Sequence, residues 1–255
     1  MVNAGFPADR LIHATDGCPT GPAGLVPRAM LAPLRHIQSW IFDLDNTLYP
    51  ASADLFGLID QRMGLFIQRL VGCGAIEARR IQKDYFRDHG TTLSGLMASH
   101  GIDPHEFLDF VHDIEMDALA EDRQLLEAVA RLPGRKLIFT NGDEPYARRV
   151  LARLGLSESF EAIHDIHACA YQPKPKAESY RTMCAALAVD PAKALFVEDM
   201  ARNLQPAKAL GMTTVWVNNG SEQASHAADT SYIDYEIANV GEWLHEIMRD
   251  ELYER

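Results

Sequence analysis

Cysteine is scarce in this chain: four in 255 residues, at Cys18, Cys73, Cys169 and Cys184, with no C-x-x-C pair. That excludes a disulfide framework and suits a reducing compartment, so a cytoplasmic location is expected. Positive charge is in deficit too, with 24 Lys and Arg against 36 Asp and Glu and a formal net charge of −12. Such a chain repels a polyphosphate backbone, which argues against a nucleic-acid polymer as partner. It does not exclude a small anionic substrate, because a bound metal reverses the field locally. No apolar run is long enough to span a membrane. Met1 to Pro33 carries Pro, Gly and Thr-Asp-Gly clusters but no apolar h-region, so no secretory signal is expected there. Residues 1–34 read as a poorly ordered extension. Internal repeats and low-complexity segments are absent.

What is present is organised around Ile37 to Leu48. The apolar run Ile37, Trp40, Ile41 and Phe42 reads as a buried strand, and it stops abruptly at Asp43-Leu44-Asp45-Asn46-Thr47. An Asx-type turn alone accounts for Asp45-Asn46-Thr47. Yet two carboxylates two residues apart at the end of an apolar strand are costly to bury without partners. The carboxyl end of a parallel strand is where ligands bind, and a cation is the simplest way to keep both acids ionised.

From about Ala53 to Leu126 the pattern is helical. Leu55, Leu58, Ile59, Met63, Phe66, Ile67 and Leu70 recur at three- and four-residue steps, and glycines at 72, 74, 90 and 101 mark helix stops. Asp103-Pro104 starts a fourth helix with proline at its first position. Alternation of helix and strand then resumes. Strands are expected at 136–139, 160–166, 194–197 and 213–217, with helices over 122–132, 145–154, 176–187, 203–210 and 240–252. Strands spaced by helices of this length predict an α/β fold with a doubly wound parallel sheet. The expected organisation is a core of residues 35–50 and 123–255 with a helical insertion over 51–122.

Four of the expected strands end in polar residues: Asp43 and Asp45, Thr140 and Asn141, Glu198 and Asp199, Asn218 and Asn219. In a parallel sheet these ends share one edge. A lone polar strand end is usually only the turn; several together, two of them acidic, describe a site. Lys174 lies in Gln172-Pro173-Lys174-Pro175, where flanking prolines restrict its placement. Acids for a metal, one lysine, a hydroxyl and an amide are what phosphoryl transfer needs, since its transition state spreads charge over three oxygens. Mg²⁺ prefers carboxylate and carbonyl oxygens with waters.

These residues resemble a known family. Asp43-Leu44-Asp45-Asn46-Thr47 is similar to the D-x-D-x-T motif of haloacid dehalogenase-type phosphatases. Thr140 matches the second motif of that superfamily, Lys174 with Pro175 the third, and Glu198-Asp199 with Asn203 the fourth. The order holds from about Gln38 to Gly220. The resemblance implies a Rossmann-like core with an inserted helical cap, Mg²⁺ as cofactor, and a role for each residue. Asp43 would be the nucleophile, Asp45 the general acid and base, Thr140 a phosphoryl hydrogen-bond donor and Lys174 the neutralising cation. Asn141 and Gly142 would contact substrate. Mg²⁺ would be held by the Asp43 carboxylate, the Asp45 carbonyl and Asp199, with Glu198 and Asn203 behind them; many relatives carry aspartate where Asn203 stands. Dehalogenases resemble the chain but lack an acid at the position of Asp45, which argues against halide chemistry.

The insertion narrows the resemblance. Leu48-Tyr49-Pro50, Tyr85-Phe86, His89 to Leu96 and Asp109-Phe110-Val111-His112 look like the cap of the pyrimidine 5′-nucleotidase branch. Thr91 and Thr92 would then contact substrate, and a nucleoside monophosphate, UMP or CMP, is favoured. The residues alone also allow a helix stop and N-cap at Gly90-Thr91-Thr92, and ordinary core aromatics at Tyr85 and Phe86. His112 reads as packed or partly exposed. His164 and His167 read as surface residues, and Met97, Met116, Met183 and Met200 as core filler. The alternatives left open are a broader phosphatase of sugar phosphates or phosphoglycolate, and a non-catalytic binding protein. Oligomeric state is not legible.

Overall fold

The structure, a computed structural model, describes residues 34–220 and 230–252. Six parallel strands form one sheet: β1 (Ser39–Phe42), β2 (Arg135–Phe139), β3 (Ala162–His164), β4 (Ala194–Glu198), β5 (Thr213–Val217) and β6 (Tyr235–Ile237). Their order is β3-β2-β1-β4-β5-β6. The topological switch therefore falls at β1, whose carboxyl end carries Asp43. That is where an open parallel sheet leaves a crevice.

The central strands β1, β2, β4 and β5 are covered on both faces, and their side chains alternate between two cores. Trp40, Phe42, Leu195 and Val197 join the larger cluster, with Leu125 and Val129 of α5 (Arg123–Arg131) and Leu244 of α9 (Val240–Leu252). Ile41, Ala194 and Phe196 point the other way, onto Tyr180 and Met183 of α7 (Ala177–Ala186) and Leu204 and Ala207 of α8 (Ala201–Ala209). A side chain such as Phe42, fully buried, contributes about 1.5–3 kcal/mol by leaving water.

Between β1 and β2 stand α1 (Leu55–Val71), α2 (Ala75–His89), α3 (Thr92–His100) and α4 (Pro104–His112). Their ends follow the expected signals. Gly72 and Gly101 cap α1 and α3 in the left-handed region. Asp103 caps α4 by accepting from His105 N, with Pro104 at the first helical position. Two long aromatics, Phe66 and Phe107, pack edge to face inside the insertion, centroids 5.1 Å apart. The remaining helix, α6 (Glu144–Arg153), follows β2. Among the described residues, no helix is long and apolar enough to cross a membrane.

Several expectations need correction. The segment 160–166 forms a strand only over Ala162–His164. Glu198 is the last residue of β4, paired with Trp216, rather than the turn beyond it. β6 was not expected. Leu34, assigned to the extension, is buried in the larger core; residues 1–33 and Cys18 lie outside the described residues. His164 is not a surface residue: it is buried at the end of β3 with its ring against Phe139. His167 is half-buried and stacks on His105 of α4, centroids 4.4 Å apart. Met116 and Met183 are core residues, whereas Met97 and Met200 are only half-buried.

Candidate active site

β1 is held on both sides, and its exit is defined by hydrogen bonds. Asp43 N donates to Val197 O at 2.9 Å, continuing the ladder with β4. The chain then turns: Leu48 N donates to Leu44 O at 3.0 Å, and Asn46 adopts a left-handed φ of 57°. The turn brings Thr47 beneath Asp43. Its hydroxyl donates to Asp43 Oδ2 at 3.1 Å and accepts from Asp199 N at 3.1 Å. One threonine thus ties the ends of β1 and β4 together. The Asp199 carbonyl is fixed from below by Trp216 Nε1 at 2.8 Å.

Lys174 is almost fully buried. Its ammonium donates to Asp43 Oδ1 at 2.6 Å, Glu198 Oε2 at 2.7 Å and Phe139 O at 2.9 Å, which uses all three of its hydrogens. The loop that carries it is clamped by Asn141, whose Oδ1 accepts from Lys174 N at 2.8 Å while Nδ2 donates to Lys174 O at 3.3 Å. Asn141, expected to contact substrate, therefore has its amide engaged on the lysine loop. Glu198 Oε1 accepts from Met200 N at 3.1 Å. Thr140 is buried, and its oxygen accepts from Gly142 N at 2.9 Å, leaving its proton to donate elsewhere.

The charges do not balance without help. Burial, with Glu198 adding like charge, outweighs Lys174 and pushes Asp43 up to about 7. Burial, then Glu198 and Asp43, pushes Asp199 up to about 10. Burial opposes the charge on Lys174, but Asp43 and Glu198 outweigh it and hold the ammonium above its usual range. One lysine faces more acid than it neutralises. Asp43, Glu198 and Asp199 each offer a carboxylate oxygen within 4.8 Å of the others. Beside them Asn203 Oδ1 is buried without a partner. An all-oxygen donor set of this kind fits a hard divalent cation.

Above these groups lies a cavity of about 770 Å³, walled by the strand ends on one side and α1 to α4 on the other. Asp43, Asp45, Thr140, Lys174 and Asp199 all reach it. A model described as haloacid dehalogenase-like hydrolase matches residues 37–211. The chain belongs to this family. Phosphate metabolism protein 8 of Saccharomyces cerevisiae is 28% identical over 193 residues, covering 68% of this chain and 59% of that protein. The chain thus spans about three fifths of the length of that relative. Enolase-phosphatase E1 of Streptomyces avermitilis is 28% identical over 216 residues, 73% of this chain and 87% of that one. The fold resembles that of a phosphatase from Thermococcus onnurineus, with a TM-score of 0.56 at 21% identity, covering 85% of this chain and 98% of the other.

In this haloacid dehalogenase-like hydrolase the insertion supplies the far wall of the cavity. Thr91 and Thr92 both line it, but their side chains have local work. Thr91 Oγ1 caps α3 by accepting from Ser94 N at 3.1 Å, and Thr92 is buried against the carbonyl of Gln82. Phe86 lines the cavity under Arg202, whose guanidinium lies 4.4 Å from the ring centroid. Tyr85 does not line it: the ring packs against Gly95 and its hydroxyl meets His100 at 3.0 Å.

No reading of the sequence assigns a site role to Arg202 or to Tyr146, whereas Tyr49 and His112 fall in stretches that resemble the nucleotidase cap. Arg79 and Lys83 of the cavity wall are paired with Asp60. Arg202 has no carboxylate partner within ion-pair distance among the described residues, and its Nε is buried without an acceptor. Asp45 accepts hydrogen bonds from two tyrosines, Tyr49 and Tyr146. His112 is buried and pairs through Nδ1 with Asp143 Oδ1 at 2.9 Å. Burial opposes ionisation of Asp143, but His112 outweighs it and holds the carboxyl below its usual range.

Proposed function

We propose that the protein is a Mg²⁺-dependent phosphomonoester hydrolase that works through an aspartyl phosphate. The observation that carries this reading is the state of Asp43. One carboxylate oxygen is held by Lys174 and the other by Thr47, at the mouth of a cavity shared with Asp45 and Thr140. A nucleophile so fixed needs no reorganisation to attack a bound phosphorus. The names of the two sequence relatives, one a phosphatase and one a phosphate-metabolism protein, favour phosphate esters over halides.

Asp43 attacks phosphorus, and the ester oxygen departs with its electron pair. Lys174 and the Thr140 hydroxyl meet the charge on the phosphoryl oxygens. Asp45 protonates the leaving alkoxide and afterwards takes a proton from the water that attacks the aspartyl phosphate. Asp43, Asp199 and the Asp45 carbonyl would hold Mg²⁺, which would supply further neutralisation of the phosphoryl group. Glu198, bonded to Lys174, and Asn203 orient the groups around it.

The substrate we favour is a pyrimidine nucleoside monophosphate, UMP or CMP. The cavity volume is within the ~300–1,000 Å³ usual for small-ligand sites. Phe86 offers an aromatic wall for a base, and Arg202 offers a cation that makes no ion pair among the described residues. A phosphate-release panel of nucleoside monophosphates and sugar phosphates, with Mg²⁺ and with EDTA, tests both levels. Metal-dependent release with kcat/KM highest for UMP and CMP is expected. Equal kcat/KM across the panel would remove the nucleotide preference and leave a broad phosphatase; no release from any ester would remove the hydrolase chemistry itself.

A further inference from the structure

Among the described residues, Asp45 is held through one oxygen only. Tyr49, in the turn after β1, donates its hydroxyl to Asp45 Oδ1 at 2.6 Å. Tyr146, in the first turn of α6, donates to the same Oδ1 at 2.6 Å. The two phenol oxygens are 3.4 Å apart. Both tyrosines are buried, and each phenol is the donor in its bond to Asp45 Oδ1. Oδ2 accepts no hydrogen bond among the described residues, and Asp45 is half-buried on the cavity wall.

The consequence follows from lone pairs. A carboxyl oxygen that accepts two hydrogen bonds has no room for a proton of its own. A proton on Asp45 therefore sits on Oδ2. Two short bonds from two different elements also fix the carboxyl plane, where a single bond would leave it free to rotate.

Tyr146 is in turn fixed from the insertion. The His112 ring stacks on it, centroids 4.2 Å apart and planes 15° from parallel. Asp143 Oδ1 accepts both from Tyr146 N at 3.2 Å and from His112 Nδ1 at 2.9 Å. A residue of α4 thus backs a residue that holds Asp45.

We propose that Tyr49 and Tyr146 are positioning residues that hold Asp45 by Oδ1 and present Oδ2 as the oxygen exchanging a proton with the leaving group. The proposal rests on the phosphatase reading. In the first step Asp43 Oδ forms a bond to phosphorus, the ester P–O bond breaks, and the leaving oxygen takes the proton from Asp45 Oδ2. In the second, water bonds to phosphorus, the Asp43–phosphorus bond breaks with its pair returning to Asp43, and the proton of the water goes to Asp45 Oδ2. The enzyme is restored, and ester plus water has become alcohol plus phosphate.

The test uses leaving groups. p-Nitrophenolate departs without a proton; the alkoxide of a nucleoside 5′-monophosphate or of glycerol phosphate does not. kcat/KM reports the first phosphoryl transfer, so it isolates the acid step. Tyr49→Phe and Tyr146→Phe should each lower kcat/KM for the alkyl esters by about 10–100-fold, part of the ~10²–10⁴ that general acid catalysis supplies. For p-nitrophenyl phosphate the same variants should change kcat/KM by less than about threefold. Either single variant suffices if the other fails to fold, as judged by its thermal melt. Equal loss on both ester classes, or no loss on either, would overturn the positioning role while leaving the phosphatase reading intact. A wild-type chain inactive on both classes would overturn that reading and the proposal with it.

Discussion

Lys174 shows at the scale of one residue how site chemistry and stability are linked. It is 1% exposed and bridges two buried carboxylates, Asp43 and Glu198. Pairs of this kind add little net stability, but removal of one partner leaves uncompensated buried charge, at about 3–5 kcal/mol. Lys174→Met should therefore lower the urea midpoint in EDTA by an amount equivalent to several kcal/mol. With Mg²⁺ present it should still lower kcat by about 10²–10³, the usual worth of a charge-stabilising group. A variant as stable as wild type in EDTA would show that Asp43 and Glu198 are not paired through this ammonium. Lys174 was legible in the sequence because prolines flank it. Glu198 was legible as a strand end and as part of the fourth motif, but not as the partner of Lys174, since nothing in a linear chain says which way a buried lysine reaches. Tyr146 was not legible at all. It sits in a helix whose apolar period already accounts for it, and it is 101 residues from Asp45.

Among the elements, α2 and α3 pack through a glycine. A Cβ built on Gly95 would lie 2.4 Å from Tyr85 Cβ and Cγ, atoms close to the helix backbone that cannot swing away. Alanine within a helix ordinarily stabilises it by up to about 1 kcal/mol relative to glycine. Overpacking costs about 1–3 kcal/mol. The clash should win, so Gly95→Ala should destabilise the chain by about 1–2 kcal/mol in denaturant melts. Stabilisation would mean the two helices are not packed through this contact. The segment His89 to Leu96 resembles a cap motif in which Thr91 and Thr92 would contact substrate; in the structure Thr91 also caps α3 and Gly95 packs against Tyr85. The strands were easier. β1, β2, β4 and β5 each contain an unbroken apolar run of three or four residues because helices cover both faces of a parallel sheet. β3 and β6 have three residues each and lie at the sheet edges, too short and too exposed for a period to register.

Over the whole molecule, the site is a reservoir of acid that opposes folding as pH rises. Asp43 and Asp199 carry folded-state pKa values of about 7 and 10 against a usual 3.8. Raised acids bind more protons folded than unfolded above pH ~4, so stability of the metal-free chain falls as pH climbs through that window. A divalent cation replaces those protons and stabilises the state that binds it. Mg²⁺ should therefore raise Tm more at pH 8 than at pH 5. An equal shift at both values would mean the acids are not the ion's ligands. The family and the doubly wound core were legible because the motif residues Asp43, Thr140, Lys174 and Asp199 fall in order along the chain, and three of them close apolar strands. The cavity was not, because it is formed between the strand ends and an insertion whose placement no local pattern encodes.

The account turns on Asp43 as acceptor of the phosphoryl group. The most direct measurement is acid quenching of the Mg²⁺-loaded chain during turnover of a phosphate ester carrying radiolabelled phosphorus. Label should remain on the denatured wild-type chain, be released by hydroxylamine as an acyl phosphate, and be absent from Asp43→Asn. Rapid hydrolysis with no label on the chain at any quench time, or label that persists in Asp43→Asn, would contradict it.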